Sequence, residues 1–218
     1  GHAWSPRLGS PSVSDVVSAR TSPDDALDRA AVVLQAGGTV VLPTDTVYGV
    51  AALPGVAGAT DALFRLKDRA GGQPLAVLVA DAAQARALVD PLAVTAEVAR
   101  WMDRLWPGAL TLVLPRSVEA AWLALGGSEA TVGLRCPDSD FVRALAARVG
   151  PIATTSANRH GEPTPTTALE AAAALAGPVG LVVDGGPAGT VASTVVDATD
   201  VRWRILREGS VTEHDLRL

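Results

Sequence analysis

Apolar residues fall along this 218-residue chain in two rhythms, and the rhythm changes at glycine, proline and hydroxyl clusters. The first is helical. Leu27, Ala31 and Leu34 recur at the spacing of one helix face, behind Ser22 as N-cap, Pro23 at the first helical position and the acids Asp24 and Asp25, and the pattern stops at Gly37. Comparable patterns predict helices over Thr60–Leu66, Ala82–Val89, Ala93–Leu105, Asp138–Val149, which Gly150-Pro151 ends, and Thr167–Leu175. The second rhythm is that of short, β-branched runs. It predicts strands at Thr39–Leu42, Leu75–Val79, Leu110–Leu114, Thr131–Leu134, Ile152–Thr155, Gly180–Val183, Thr194–Val196 and Arg202–Leu206.

Strands that alternate with helices predict an α/β layer fold. The last strands lie too close together for parallel crossovers, so the sheet is expected to be mixed rather than doubly wound. No internal repeat or linker divides the chain. The expectation is a Ser-, Pro- and Gly-rich flexible lead over residues 1–21, followed by a single domain over residues 22–218.

Composition narrows the function classes. A net charge of −5 and 4% aromatic residues argue against a protein whose main task is coating nucleic acid, although a local basic cleft is compatible with that balance. There is no long uninterrupted apolar run and no signal-like N-terminus, so neither a membrane span nor export is expected. The lone Cys136 allows neither an internal disulfide nor a thiolate metal site, in keeping with a cytoplasmic setting. His2, His160 and His214 are scattered and lack metal-ligand spacing.

The candidate chemistry lies where apolar runs end. In "VVLPTDTVYGV" a strand stops at Pro43 and is followed by Thr44, Asp45, Thr46, Tyr48 and Gly49. Alone, this reads as a capped turn. In "FRLKDRAGGQPLAVLV", Arg65, Lys67 and Arg69 leave a helix end and enter a glycine-rich loop. They suit a helix C-terminus, but on an extended segment alternate cations would also share one side and face a polyphosphate. The loop lacks the Walker pattern. In "GPIATTSANRHGEPTPTT", Thr154, Thr155, Ser156 and Asn158 follow a short strand. The surroundings of Ser156 are not those of a Gly-x-Ser-x-Gly nucleophile, so hydrogen bonding or a simple turn is the preferred reading. Arg135 in "VGLRCPD", Ser193 and Thr194 in "DGGPAGTVASTVVD" and Arg207 in "ILREGSV" complete the set, while Asp184 and Asp197 read as turn or cap residues. Singly, each arginine reads as a surface or paired cation. Together these strand ends are what an open α/β sheet uses to gather a cationic site for an acidic ligand.

In order along the chain, "PTDTVYG", "KDR" followed by "PLAVLV", "WPGALTLVL", "VGLRCPD", "TTSAN", "STVVD" and "LREGSV" resemble the YrdC-like family of L-threonylcarbamoyl-adenylate synthases, over roughly Pro23 to Val211. The resemblance implies a twisted open sheet of parallel and antiparallel strands with flanking helices around a concave cavity. It also implies a nucleotidyltransferase reaction, in which L-threonine, bicarbonate or CO2, and ATP give threonylcarbamoyl-AMP and pyrophosphate for tRNA modification completed by a separate transferase. By matched motif, Arg65, Lys67, Arg69 and Arg207 would contact the nucleotide, Lys67 and Arg69 being the candidates for stabilising transition-state charge. Ser156, Asn158 and Thr164 would hydrogen-bond or support ATP. Thr46, Tyr48, Arg135, Thr154 and Ser193 would form the threonine site, with Asp45 orienting its loop. Mg2+ is implied, carried mainly by ATP phosphates, with no protein metal ligands assigned. The sequence departs from the family pattern at the Ala70-Gly71-Gly72 insertion, at Ala109 and at His160, and its end soon after Arg207 matches the short, single-domain type. The competing readings are a paralogue with another carbamoyl or nucleotide reaction, which threonine dependence would separate, and an RNA-binding module with salt-sensitive binding and no ATP turnover. Weak tRNA contact is compatible with the synthase.

Overall fold

The computed structural model describes residues 14–68, 73–159 and 161–218. Within these residues ten strands form one sheet: β1 (Val16–Ser18), β2 (Val40–Leu42), β3 (Gly49–Ala52), β4 (Ala76–Leu78), β5 (Leu110–Pro115), β6 (Thr131–Arg135), β7 (Ile152–Ser156), β8 (Leu181–Asp184), β9 (Thr194–Asp197) and β10 (Arg204–Arg207). Their order across the sheet is β1-β8-β2-β3-β7-β4-β6-β5-β9-β10. The pairs β1/β8, β2/β8, β4/β6 and β5/β9 are parallel, and the remainder are antiparallel. The sheet is therefore mixed, as the short final connections require.

Among the described residues, seven α-helices accompany it: α1 (Pro23–Gln35), α2 (Asp61–Leu66), α3 (Ala82–Arg86), α4 (Ala96–Leu105), α5 (Asp140–Val149), α6 (Ala168–Ala173) and α7 (Glu213–Arg217). Their starts are legible as caps. Thr95, Ser139 and Thr167 accept the backbone N–H of Val98, Val142 and Glu170, and Thr212 and Asp215 form a capping box. Ser22 precedes α1 without a side-chain cap bond.

Strand alternation divides the core. On one face Val50, Val77, Leu112, Leu134, Ala153 and Val196 join Trp101 and Met102 of α4. Trp101 Nε1–H donates to Leu216 O at 2.8 Å, and the Trp101 ring meets Trp203 edge-on at 5.5 Å. On the other face α1 and α5 pack together over Val40, Leu42, Ala51, Ile152, Leu181 and Val183. That second cluster takes no residue from β5, β6 or β9. On that face, the part of the sheet built from β4, β5, β6 and β9 carries a cavity instead.

Several elements depart from the sequence expectation. The lead does not extend to Val16–Ser18, which pair in parallel with Val182–Asp184. Three residues on a sheet edge are too few for a period to show. Gly49–Ala52 becomes β3 because the "PTDTVYG" turn folds it antiparallel onto β2, and a run of small residues carries little strand propensity of its own. The short α7 was also not expected. The helix predicted from Ala82 to Val89 ends at Arg86, and the one predicted from Ala93 begins at Ala96 after a 3₁₀ turn over Pro91–Ala93.

Candidate active site

The cavity, about 450 Å³, has strand residues as its floor. Alternate residues of β4 (Ala76, Leu78), β5 (Thr111, Val113) and β6 (Thr131, Gly133, Arg135) face it, while the residues between them point into the opposite core. Among the described residues, polar groups from four of the surrounding segments, besides Gln73 before β4, stand on the rim. The four segments are the β2–β3 turn, the end of α2, the end of β7 and the β9–β10 pair.

The β2–β3 turn is organised from within. Thr44 Oγ1 accepts the N–H groups of Thr46 and Val47, each at 3.2 Å, and donates to Val47 O. This leaves Asp45 and Thr46 directed at Arg135. Arg135 Nη1 lies 2.6 Å from Asp45 Oδ1, and Nη2 donates to Thr46 Oγ1 at 3.1 Å. The two side chains are 7% and 15% exposed, so this ion pair is shielded from water, unlike the other ion pairs among the described residues. A Cβ at Gly49 would lie 2.8 Å from Thr154 Oγ1, so glycine is what allows β3 to approach β7 here.

Lys67 caps the C-terminal end of α2 and is buried. Its ammonium donates to Ser156 O at 2.7 Å, Ser156 Oγ at 3.1 Å and Asn158 Oδ1 at 2.8 Å. Asn158 Nδ2 in turn holds Glu162 O at 2.8 Å. The "TTSAN" segment is therefore a cradle for a cation, which agrees with hydrogen-bonding roles for Ser156 and provides no base for a nucleophile. Across the floor, Arg207 donates to Ser193 O at 3.0 Å and Ser193 Oγ at 3.1 Å, and Ser193 Oγ lies 2.8 Å from Thr111 Oγ1. Arg207 is an exposed residue, and the partial desolvation of its guanidinium at the cavity wall, reinforced by the charge of Arg135, lowers its pKa. Among the described residues no carboxylate lies within ion-pair distance of Arg207.

Eight of the twelve residues that the resemblance assigns to the ATP and threonine sites line the cavity: Thr46, Lys67, Arg135, Thr154, Ser156, Asn158, Ser193 and Arg207. Three do not. Tyr48 is fully buried in the opposite core, where its hydroxyl donates to Gly186 O at 2.5 Å and accepts Gly185 N–H at 3.1 Å. Burial, the largest influence, raises its pKa. Arg65 is an exposed residue in the last turn of α2. The expectation of alternate cations on one side assumed an extended segment, but residues two apart on a helix diverge by about 200°. Thr164 is half-buried and outside the cavity wall. Arg69 lies outside the described residues, as do Ala70, Gly71, Gly72 and His160. Sequence reasoning missed Thr111 and Gly133. The available signal was a small or polar residue interrupting an apolar strand, as in "LTLVL" and "TVGLR".

The described lining contains Lys67, Arg135 and Arg207 and no carboxylate, with Asp45 behind Arg135. Such a wall concentrates anions, and fixed N–H donors in a partly desolvated cleft stabilise developing negative charge. Among the described residues no three His, Cys, Asp or Glu side chains gather as a metal cage, and no helix is long and apolar enough to cross a membrane.

Residues 32–209 match the Sua5/YciO/YrdC family, described as telomere recombination. The chain belongs to this family. It is 37% identical over 204 residues to the threonylcarbamoyl-AMP synthase of Bacillus subtilis, covering 93% of this chain and 58% of that protein. It is 39% identical over 181 residues to a putative threonylcarbamoyl-AMP synthase of Mycobacterium tuberculosis, covering 82% of each. Among Sua5/YciO/YrdC structures, that of Pyrococcus abyssi Sua5 complexed with L-threonine superposes with a TM-score of 0.80 at 33% identity, over 91% of this chain and 58% of that one. Escherichia coli YciO superposes with a TM-score of 0.77 at 25% identity, over 91% and 97%. The chain thus spans less than two thirds of the Bacillus and Pyrococcus proteins.

Proposed function

We propose that this chain is a threonylcarbamoyl-AMP synthase, joining L-threonine, bicarbonate or CO2, and ATP into threonylcarbamoyl-AMP with release of pyrophosphate. The observation that carries this reading is the convergence of Lys67, Arg135 and Arg207 on one cavity whose described wall bears no carboxylate. The reaction brings two anions together, a carbamate derived from an amino acid and a polyphosphate, and that wall suits both. The synthases of Bacillus and the Sua5 protein with bound L-threonine support the same reading.

In this reading Arg135, held by Asp45, and Thr46 take the threonine carboxylate, while Ser193 and Thr154 position the amino-acid moiety. The threonine amine and CO2 form a carbamate. Its oxygen attacks the α-phosphorus, and the bond to the pyrophosphate oxygen breaks. Lys67 and Arg207 stabilise negative charge on the phosphates, with Ser156 and Asn158 orienting Lys67. Arg69, the other cation expected from the sequence to meet the phosphates, lies outside the described residues. The chemistry then comes from positioning and electrostatics, with no covalent intermediate. The described donor set does not fit a protein-held Mg2+ site, so the ion expected with ATP is assigned to phosphate and water oxygens. We read residues 22–218 as one catalytic domain working in the cytoplasm, its product passing to a separate tRNA transferase.

The test is pyrophosphate release from ATP, Mg2+ and bicarbonate with and without L-threonine. Threonine-dependent release is the expected result. Release indifferent to threonine favours a paralogue with another acceptor, and no release from folded protein overturns the assignment.

A further inference from the structure

Gly133 sits in the middle of β6, paired with Ala76 of β4 and Val113 of β5. A strand interior is an unfavourable place for glycine, which has no side chain to pack and loses the most backbone freedom on folding. The fold gives no compensating reason here. Its φ lies outside the left-handed region, unlike those of Gly127, Gly150 and Gly186. Nor is it crowded. A Cβ at Gly133 would meet only Thr111 Cγ2 at 3.6 Å and Val113 Cγ2 at 3.8 Å, which is ordinary contact. By contrast, a Cβ at Gly209 would lie 2.5 Å from Ala192 O and Thr194 N.

The space above Gly133 belongs to the cavity. Thr131 and Arg135, two residues to either side, also line it. Register places Ala76, Gly133 and Val113 in one row across β4, β6 and β5, with Thr154 of the threonine site beyond its β7 end. This row is uncharged and, up to Val113, made of small side chains. The cationic groups lie off it, on Arg135 next along β6, on Lys67 at the end of α2 and on Arg207 of β10.

We propose that Gly133 is a specificity-determining residue, whose missing side chain keeps the cavity floor flat so that the nucleoside of the bound nucleotide lies against the sheet. The identity of the ligand rests on the synthase reading. The choice of its nucleoside rests on chemistry, because phosphates and the threonine carboxylate belong with the cations, and the uncharged planar part is what a smooth apolar strip accepts. Close approach of a ligand to backbone is one of the recognised uses of a strand glycine.

The experiment is calorimetric titration of the wild-type chain, Gly133→Ala and Gly133→Val with AMP, ATP and L-threonine, together with thermal unfolding of each. Gly133→Val is expected to weaken AMP and ATP by the same factor, roughly tenfold or more, in the range that a misfitted methyl group produces in a shaped pocket. L-threonine affinity should stay within about twofold, and Gly133→Ala should unfold at the same or a higher temperature because the unfolded chain loses freedom. Unchanged nucleotide affinity in Gly133→Val, an equal loss of L-threonine affinity, or a lower unfolding temperature for Gly133→Ala overturns the proposal. A wild-type chain that binds AMP yet shows no threonine-dependent pyrophosphate release removes the synthase reading and leaves Gly133 to be decided by the AMP titration. A wild-type chain that binds no nucleotide overturns both.

Discussion

One face of the sheet is built in two ways. Toward β8 and β2 it presents Val40, Leu42, Ala51, Leu181 and Val183, and α1 and α5 seal them from water. Toward β5 and β9 the equivalent alternate positions hold Thr111, Val113, Gly133, Arg135, Ser193 and Val195, and these line the cavity. The backbone geometry is continuous across both halves. What differs is the chemistry of every second residue. An all-apolar row gains by recruiting a helix, about 25 cal/mol for each Å² of apolar surface removed from water, whereas burying Arg135 under such a cover would require a partner for its charge. Asp45 supplies that partner from a turn, which leaves the half open and the guanidinium positioned.

Substitutions in the two halves should separate stability from function. The largest effect is expected from Arg135→Ala. It leaves Asp45, 15% exposed, without its cation, a situation that costs roughly 3–5 kcal/mol in buried pairs. Urea unfolding should show that loss alongside failure of threonine-dependent turnover; an unchanged midpoint would mean that the open half carries no structural load. Lys67→Ala should come next, with kcat/KM reduced by about 10²–10³, the scale for losing one fixed charge-stabilising donor. Its circular dichroism should match wild type, and near-normal pyrophosphate release would remove Lys67 from the phosphate site.

On the sealed half the expectation inverts. Leu34, fully buried in α1, should cost about 2–5 kcal/mol when cut to alanine. At temperatures where the variant is folded, KM for ATP and L-threonine should stay at wild-type values. A shifted KM would show that the helix-covered half is coupled to the cavity. The smallest effect belongs to Cys136, buried with its Sγ 3.6 Å from Ala80 O. Burial pushes this thiol's pKa up, so native Cys136 stays protonated where the unfolded thiol ionises. Its contribution to stability is present below the unfolded pKa, about 8.5, and declines as pH rises through it. Cys136→Ser should keep turnover, and any stability advantage of wild type over it should shrink above that pH in urea titrations.

The site was legible where the chemistry is local. Thr46, Arg135, Ser156, Ser193 and Arg207 each follow or end an apolar run, so a change of residue type marks them. Tyr48 carries the same signal, yet strand alternation turns it to the opposite core, because Gly49, opposite Ser156 in the register, rather than Tyr48 occupies the position on the cavity side. Arg65 and Lys67 are equivalent as cations in the sequence, and the end of α2 exposes one and buries the other. Thr111 and Gly133 went unremarked because neither carries a charge, and their importance comes from the strands beside them.

By itself, the sequence determined the α/β class, the mixed sheet, most of the helix starts and the cations available to the cavity, since caps, period and charge are properties of neighbouring residues. Only the tertiary structure decided which face each strand residue presents, that β1 and β3 exist, and that Asp45, near the start of the chain, meets Arg135 from β6. Those outcomes depend on pairings between distant segments, and no local pattern records the register in which two strands meet.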